Sequence, residues 1–213
     1  MSKKHVYELI PQGYPVKLYF DLEYLIEYNP WTTMTIAAAK LHELTQQLLV
    51  KIFNRRGLHD VIYLDATTSK KASVHLIYPD VIFENMTHLK EFIRKLQQFI
   101  HQRNLDETFR IFKPNGDTEL EEDSLIDWSP YKPDQLFRIY GSSKLTKKNH
   151  LYPVGGPSEV DPMLLFQSLV SVPCGVFGCD PKQFYAFKSI TGGPFPRKQR
   201  LKSCSSPEVI RKI

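Results

Sequence analysis

Lys17-Leu18-Tyr19-Phe20-Asp21-Leu22-Glu23-Tyr24 places two carboxylates one residue apart inside an otherwise apolar run. The run reads as a β-strand. With side chains alternating between faces, Leu18, Phe20, Leu22 and Tyr24 take one side while Tyr19, Asp21 and Glu23 take the other. The α-carbons of the two acids then lie roughly 6.5 Å apart, near enough for both side chains to hold one divalent cation or a pair of them. Like charges that close on a half-buried face repel, so the arrangement calls for a cation or basic groups to offset the cost. The plainer alternative is a solvent-facing edge strand with two unpaired acids.

Downstream, Asn29-Pro30-Trp31 breaks the strand, and Thr32 or Thr33 can cap a helix running to about Arg56. Ile36, Leu41, Leu44, Leu48 and Ile52 have helical spacing, and Gly57 is placed to stop the helix. A strand from Val61 to Asp65 follows, then a polar, basic loop, Ala66-Thr67-Thr68-Ser69-Lys70-Lys71. Ser73 to Tyr78 resumes as a strand ended by Pro79, with Ser73, His75 and Ile77 on one face. A Ser-x-His pair thus mirrors the Asp-x-Glu pair.

The segment from Asn85 to Arg103 is an amphipathic helix with Leu89, Phe92, Ile93, Leu96, Phe99 and Ile100 in one stripe. Phe109 to Lys113, Leu125 to Trp128 and Leu136 to Tyr140 read as strands, the second carrying Asp127, and Pro114-Asn115-Gly116-Asp117 reads as a turn. Asp161-Pro162 opens a last helix. The order β-α-β-β-α-β-β-β-α predicts an α+β domain with a mainly antiparallel sheet and flanking helices over residues 1–172. Residues 173–213 form a Gly/Pro/Lys-rich C-terminal segment whose composition predicts little order.

The chain has 213 residues, 42% of them hydrophobic, which suits a soluble core. The net charge is +5, and the bases cluster: Arg55-Arg56, Lys70-Lys71, Arg138 with Lys144, Lys147 and Lys148, then Arg197-Lys198, Arg200 and Lys202. A polyanionic partner, nucleic acid or nucleotide, is the natural inference. Cys174, Cys179 and Cys204 are odd in number, against a disulfide framework, and spaced more loosely than zinc ligands. With no secretory h-region after Met1 and no apolar stretch of membrane-spanning length, an intracellular compartment without membrane association is expected.

Three acids on strands, a basic loop leading into Ser-x-His, and a late Arg-bearing strand form a set that phosphoryl transfer can use. Joining a nucleoside triphosphate to a hydroxyl needs converging carboxylates for cations, plus cationic and hydroxyl groups to seat the triphosphate. These motifs resemble those of the archaeo-eukaryotic primase superfamily, and within it the eukaryotic primase-polymerase family. Leu18-Tyr19-Phe20-Asp21-Leu22-Glu23 is similar to the family's D-x-E metal strand, and Lys71-Ala72-Ser73-Val74-His75 to its S-x-H nucleotide motif. Ile126-Asp127 resembles the hydrophobic-Asp third motif, and Phe137-Arg138-Ile139-Tyr140-Gly141-Ser142-Ser143-Lys144 the family's F-R-L-Y-x-S-S-K run.

The resemblance implies a primase catalytic core lacking most of the family's N-terminal lobe, since only Met1 to Val16 precede the D-x-E strand. By resemblance, Asp21, Glu23 and Asp127 hold Mn²⁺ or Mg²⁺, while Lys71, Ser73, His75, Arg138 and Lys144 contact the incoming nucleotide. The implied activity is that of a DNA-directed primase and DNA polymerase, which makes and extends primers on single-stranded DNA in replication restart, repriming and translesion synthesis. Its implied partners are single-stranded DNA template and primer, nucleoside triphosphates and single-stranded-DNA-binding proteins, and its implied locations the nucleus and mitochondrion. The family's second arginine, three residues before the position of Arg138, is replaced here by Gln135, which removes part of the expected triphosphate grip. A superfamily polymerase of end joining or plasmid replication, or a catalytically weak nucleic-acid-binding remnant, are the competing readings.

Overall fold

A computed structural model describes residues 5–54, 59–116, 119–132, 134–144, 149–154, 156, 160–172 and 184–187. The Arg55-Arg56 cluster, Gly57, Lys147-Lys148, the three cysteines and the last basic cluster lie outside the described residues.

The central sheet is built on β2 (Val16–Leu25), whose whole length pairs antiparallel with β4 (Lys71–Phe83). Its strand order is β7-β2-β4-β3-β9, with β3 at Ile62–Asp65, β7 at Ile126–Asp127 and β9 at Tyr152–Pro153. The acidic strand is therefore interior, not an edge: β7 pairs with it on the side opposite β4, through Asp21↔Asp127 and Leu22↔Ile126. Leu18, Phe20 and Leu22 are fully buried, as the period-two reading requires.

Helices α1 (Met34–Phe53) and α2 (Met86–His101) cover the apolar face, where the His42 ring of α1 stacks on Tyr78 of β4. Each apolar side chain fully buried between these layers contributes about 1.5–3 kcal/mol relative to exposure. Asn85 caps α2 with its side chain, accepting from the Thr87 and His88 N–H groups. Helix α1 ends earlier than Gly57 predicts, at Asn54, which adopts φ 51° and returns its N–H to Val50 O. Asparagine tolerates the left-handed region well enough to serve as the stop. Ile36, placed in the apolar stripe by spacing, is instead exposed, and Ala37, Ala38 and Leu49 face the core.

Pro79 does not end its strand. β4 continues to Phe83, and between Leu18↔Tyr78 and Lys17↔Ile82 it carries Pro79, Asp80 and Val81 as a bulge, where the missing proline N–H breaks no ladder bond.

Two hairpin-like ribbons flank the sheet. β1 (Tyr7–Ile10) pairs with β8 (Gln135–Arg138), and β5 (Arg110–Asn115) pairs with β6 (Glu119–Ser124) across a turn at Gly116, φ 73°. Buried Asn29 docks the second ribbon. Its Nδ2 donates to Leu25 O and Phe112 O, and its Oδ1 accepts from Phe112 N–H.

Short helices at Asp106–Phe109 (α3) and Pro162–Ser168 (α4) complete the elements. The carboxylate of Glu8 accepts from the Val170 and Ser171 N–H groups and from Ser171 Oγ, and Lys17 Nζ donates to Phe166 O and Gln167 O. Two buried charges thereby fasten the end of α4 to the start of the sheet. Further along, Phe184–Phe187 lies against the end of β4, with Tyr185 N–H donating to Ile82 O and Glu84 N–H to Tyr185 O. Phe184, Tyr185 and Phe187 are all buried there.

Candidate active site

Strand register builds the site. Asp21 stands opposite His75 on one side and Asp127 on the other, and Glu23 stands opposite Ser73. Because partners across a ladder point to the same face, these five side chains share one face of the sheet. The D-x-E and S-x-H motifs are thus cross-strand neighbours, and the third acid joins them because Asn29 anchors the ribbon that leads into β7.

The β1–β8 ribbon closes over part of this face. Phe137 stacks on the His75 imidazole with ring centroids 4.4 Å apart and packs on Tyr19 at 4.6 Å. Tyr19 is locked in turn, its hydroxyl donating to Pro130 O and its carbonyl accepting from the Tyr131 hydroxyl, both at 2.8 Å. Next to Phe137 in the chain, Arg138 is only 4% exposed, and its Nη1 donates to Asn149 O at 3.4 Å. Asp127, half-buried, accepts from Ser129 N–H at 2.8 Å. Glu23 and Asp127, with Lys71, Phe112, Lys113 and Trp128, line a cavity of about 520 Å³, of which Asp21 is not a wall.

The electrostatics are strained in the way that a cation would relieve. Burial, and then the charges of Glu23 and Asp127, push the Asp21 carboxyl up to about 7, against the opposing pull of Lys144 and Arg138. Its Oδ1 is buried without a hydrogen-bond partner. His75 is driven the other way. Burial, reinforced by Arg138 and Lys144, lowers it to about 3, so its ring is neutral, with Nε2 3.8 Å from Asp21 Oδ2. Burial also lowers Arg138. Lys71 Nζ sits 2.6 Å from Glu23 Oε2 and offsets part of the acidic charge.

This donor set fits a divalent cation in chemistry: three carboxylates, one with a free buried oxygen. Among the described residues no three His, Cys, Asp or Glu side chains are gathered into a ready cage, and Glu23 engages Lys71 instead.

All eight residues named from the motifs are among those described. Asp21, Glu23, Asp127, Ser73 and His75 are brought together by register; Lys71 joins through Glu23. Arg138 and Lys144 lie close enough for their charges to act on both Asp21 and His75. Gln135, in place of the family's second arginine, sits at the start of β8 opposite Ile10. Sequence reasoning did not single out Asn29 or Asn149, whose respective partners Phe112 and Ala66 lie 83 residues away in the chain. Asn29 offers a weak signal, a polar residue before Pro-Trp at a strand end.

No protein-family model matches the chain. Among curated proteins it is 37% identical over 100 residues to a DNA-directed primase/polymerase protein of Gallus gallus, covering 46% of this chain and 17% of that protein. The protein of the same name from Danio rerio is 29% identical over 179 residues, covering 68% of this chain and 33% of its own length. A putative primase of Ostreid herpesvirus 1 (isolate France) is 24% identical over 166 residues, covering 72% of this chain and 14% of that protein. The chain thus spans between 14% and 33% of the length of these relatives. The motifs brought onto one sheet face, and relatives bearing these names, support a likeness to the PrimPol-like primases.

Proposed function

We propose that this chain is the catalytic part of a DNA-directed primase-polymerase, a nucleotidyltransferase that joins nucleoside triphosphates to a hydroxyl on a single-stranded DNA template. The observation that carries the reading is the register that puts Asp21 between His75 and Asp127, with Glu23 beside Ser73. Asp21, Glu23 and Asp127 would hold Mn²⁺ or Mg²⁺. Such a cation, when bound, neutralises charge on the attacking and leaving oxygens of the transferring phosphoryl group.

The chain's own groups do the rest. Lys71, Arg138 and Lys144 supply positive charge for the triphosphate, with the Arg138 guanidinium suited to two-point contact with a phosphate. Ser73 contributes a hydroxyl. Neutral His75, held flat by Phe137, offers a hydrogen bond and no charge, so it orients the nucleotide without competing for the cation. The attacking hydroxyl displaces pyrophosphate from the α-phosphorus, and the growing strand gains one nucleotide.

By analogy with the family, the reaction would serve repriming and translesion synthesis in nucleus and mitochondrion, alongside single-stranded-DNA-binding proteins. No helix among the described residues is long and apolar enough to cross a membrane. A second reading, a nucleic-acid-binding remnant with weak turnover, is favoured by the Lys71–Glu23 contact, which occupies a carboxylate that catalysis needs. Primer extension on single-stranded DNA with Mn²⁺ or Mg²⁺ separates the two: metal-dependent incorporation is expected, and template binding without incorporation supports the remnant.

A further inference from the structure

After Tyr140 the chain turns back on itself. Gly141 N–H donates to Leu151 O at 2.8 Å, Leu151 N–H donates to Ser142 O at 3.1 Å, and Ser143 bridges His150. This hairpin carries Lys144, and β9 fastens its far end to β3 through Asp65↔Tyr152 and Leu64↔Pro153. Asn149 continues that seam by one step. Its Nδ2 donates to Ala66 O at 3.0 Å, while its main-chain carbonyl accepts from Arg138 Nη1 at 3.4 Å.

The amide orientation follows from chemistry. The flipped amide would set Oδ1 against the Ala66 carbonyl, two acceptors facing each other. Held this way, Asn149 leaves its own Oδ1 buried without a partner, as is Arg138 Nε. Folded proteins keep few such groups, and they concentrate where function overrides local satisfaction. The side chain therefore serves to fix its backbone carbonyl, and the carbonyl serves to aim the guanidinium. An arginine side chain has many rotamers to lose, so a preset direction spares the triphosphate much of the ordering cost.

We infer that Asn149 is a positioning residue for the nucleotide, acting through Arg138 by tying the Lys144 hairpin to the loop after β3. This rests on the nucleotide-binding reading of Arg138 given above. The effect runs through affinity for the triphosphate and not through the carboxylates.

Calorimetric titration of the full chain with a deoxynucleoside triphosphate and Mn²⁺ tests it, comparing Asn149→Ala, Arg138→Ala and the double variant. Asn149→Ala should weaken binding about 10-fold, the lower end of the scale for lost outer-shell support. The double variant should bind no more weakly than Arg138→Ala alone, because the two residues act in series. In primer extension, Asn149→Ala should raise KM more than it lowers kcat. Should Asn149→Ala fail to fold, Asn149→Asp keeps the volume and loses the donor to Ala66 O, and the same non-additivity is expected. Additive losses, or unchanged affinity in Asn149→Ala where Arg138→Ala is impaired, overturn the inference alone. Unchanged affinity in Arg138→Ala overturns the nucleotide-site reading and this inference with it.

Discussion

Asp21 and His75 face each other across the β2–β4 ladder, Oδ2 to Nε2 at 3.8 Å, and the fold moves them in opposite directions: the carboxyl towards holding a proton, the imidazole towards losing one. Both shifts begin with burial. Both shifts favour the uncharged forms at a place where basic side chains and two more acids converge, so a cation binding there acts against the proton on Asp21.

A dependence of stability on pH follows. The folded, metal-free protein holds a proton on Asp21 up to about 7, whereas an unfolded carboxyl releases it near 3.8. The stabilising contribution is full below the unfolded value and is lost as pH rises through the folded one. Asp21→Asn removes that loss, so in EDTA its melting temperature should exceed the parent's by a few degrees at about pH 8 and match it closely at about pH 4. A difference of the same size at both pH values contradicts the assignment.

Arg138→Ala should raise the nucleotide KM or lower turnover by at least ~10-fold, the scale of one lost charge-assisted contact. Steady-state kinetics against nucleotide concentration provide the check. Unchanged kinetics with weakened DNA binding would move Arg138 to the template.

Lys71 holds Glu23 at 2.6 Å, where a cation would compete for the same carboxylate. Lys71→Ala should therefore tighten Mn²⁺ binding in the absence of nucleotide while weakening binding of the triphosphate. Titration of Mn²⁺ followed by electron paramagnetic resonance reads the first effect directly, and weaker Mn²⁺ binding in the variant rules out the competition.

Tyr185 is 2% exposed, with its ring 4.9 Å from Phe53 and 5.7 Å from Phe83 and its hydroxyl 3.0 Å from His59 Nε2. Tyr185→Ala should cost about 3 kcal/mol in urea unfolding, as truncation of a buried aromatic does. A loss below about 1 kcal/mol would mean that this stretch is dispensable to the core.

The segments that the sequence made legible are those with apolar alternation and a face to bury, β2 and β4 above all. Their register could not be read from either strand alone, and it is register that turns Asp-x-Glu and Ser-x-His into neighbours. β6, Glu119–Ser124, escaped notice because it is acidic and exposed, held by cross-strand pairs such as Lys113 with Glu121 at 3.0 Å and with Asp123 at 2.8 Å. Pro79 signalled a strand end because proline lacks a donor, but a bulge absorbs that defect. Phe184–Phe187 sits in a stretch whose Gly and Pro content predicts little order, and the aromatics find their pocket through contacts far away in the chain. Asn149 has no local pattern at all, since its meaning lies in Ala66 and Arg138.

The central claim is that Asp21, Glu23 and Asp127 hold the cations of nucleotidyl transfer while other groups hold the DNA. Single-nucleotide incorporation on primed DNA with Mn²⁺, measured beside DNA affinity for the parent and the Asp21→Ala, Glu23→Ala double variant, tests it most directly. Incorporation should vanish in the variant with DNA affinity within about twofold of the parent's, because phosphate contacts come from basic side chains. Measurable incorporation by the double variant contradicts the account.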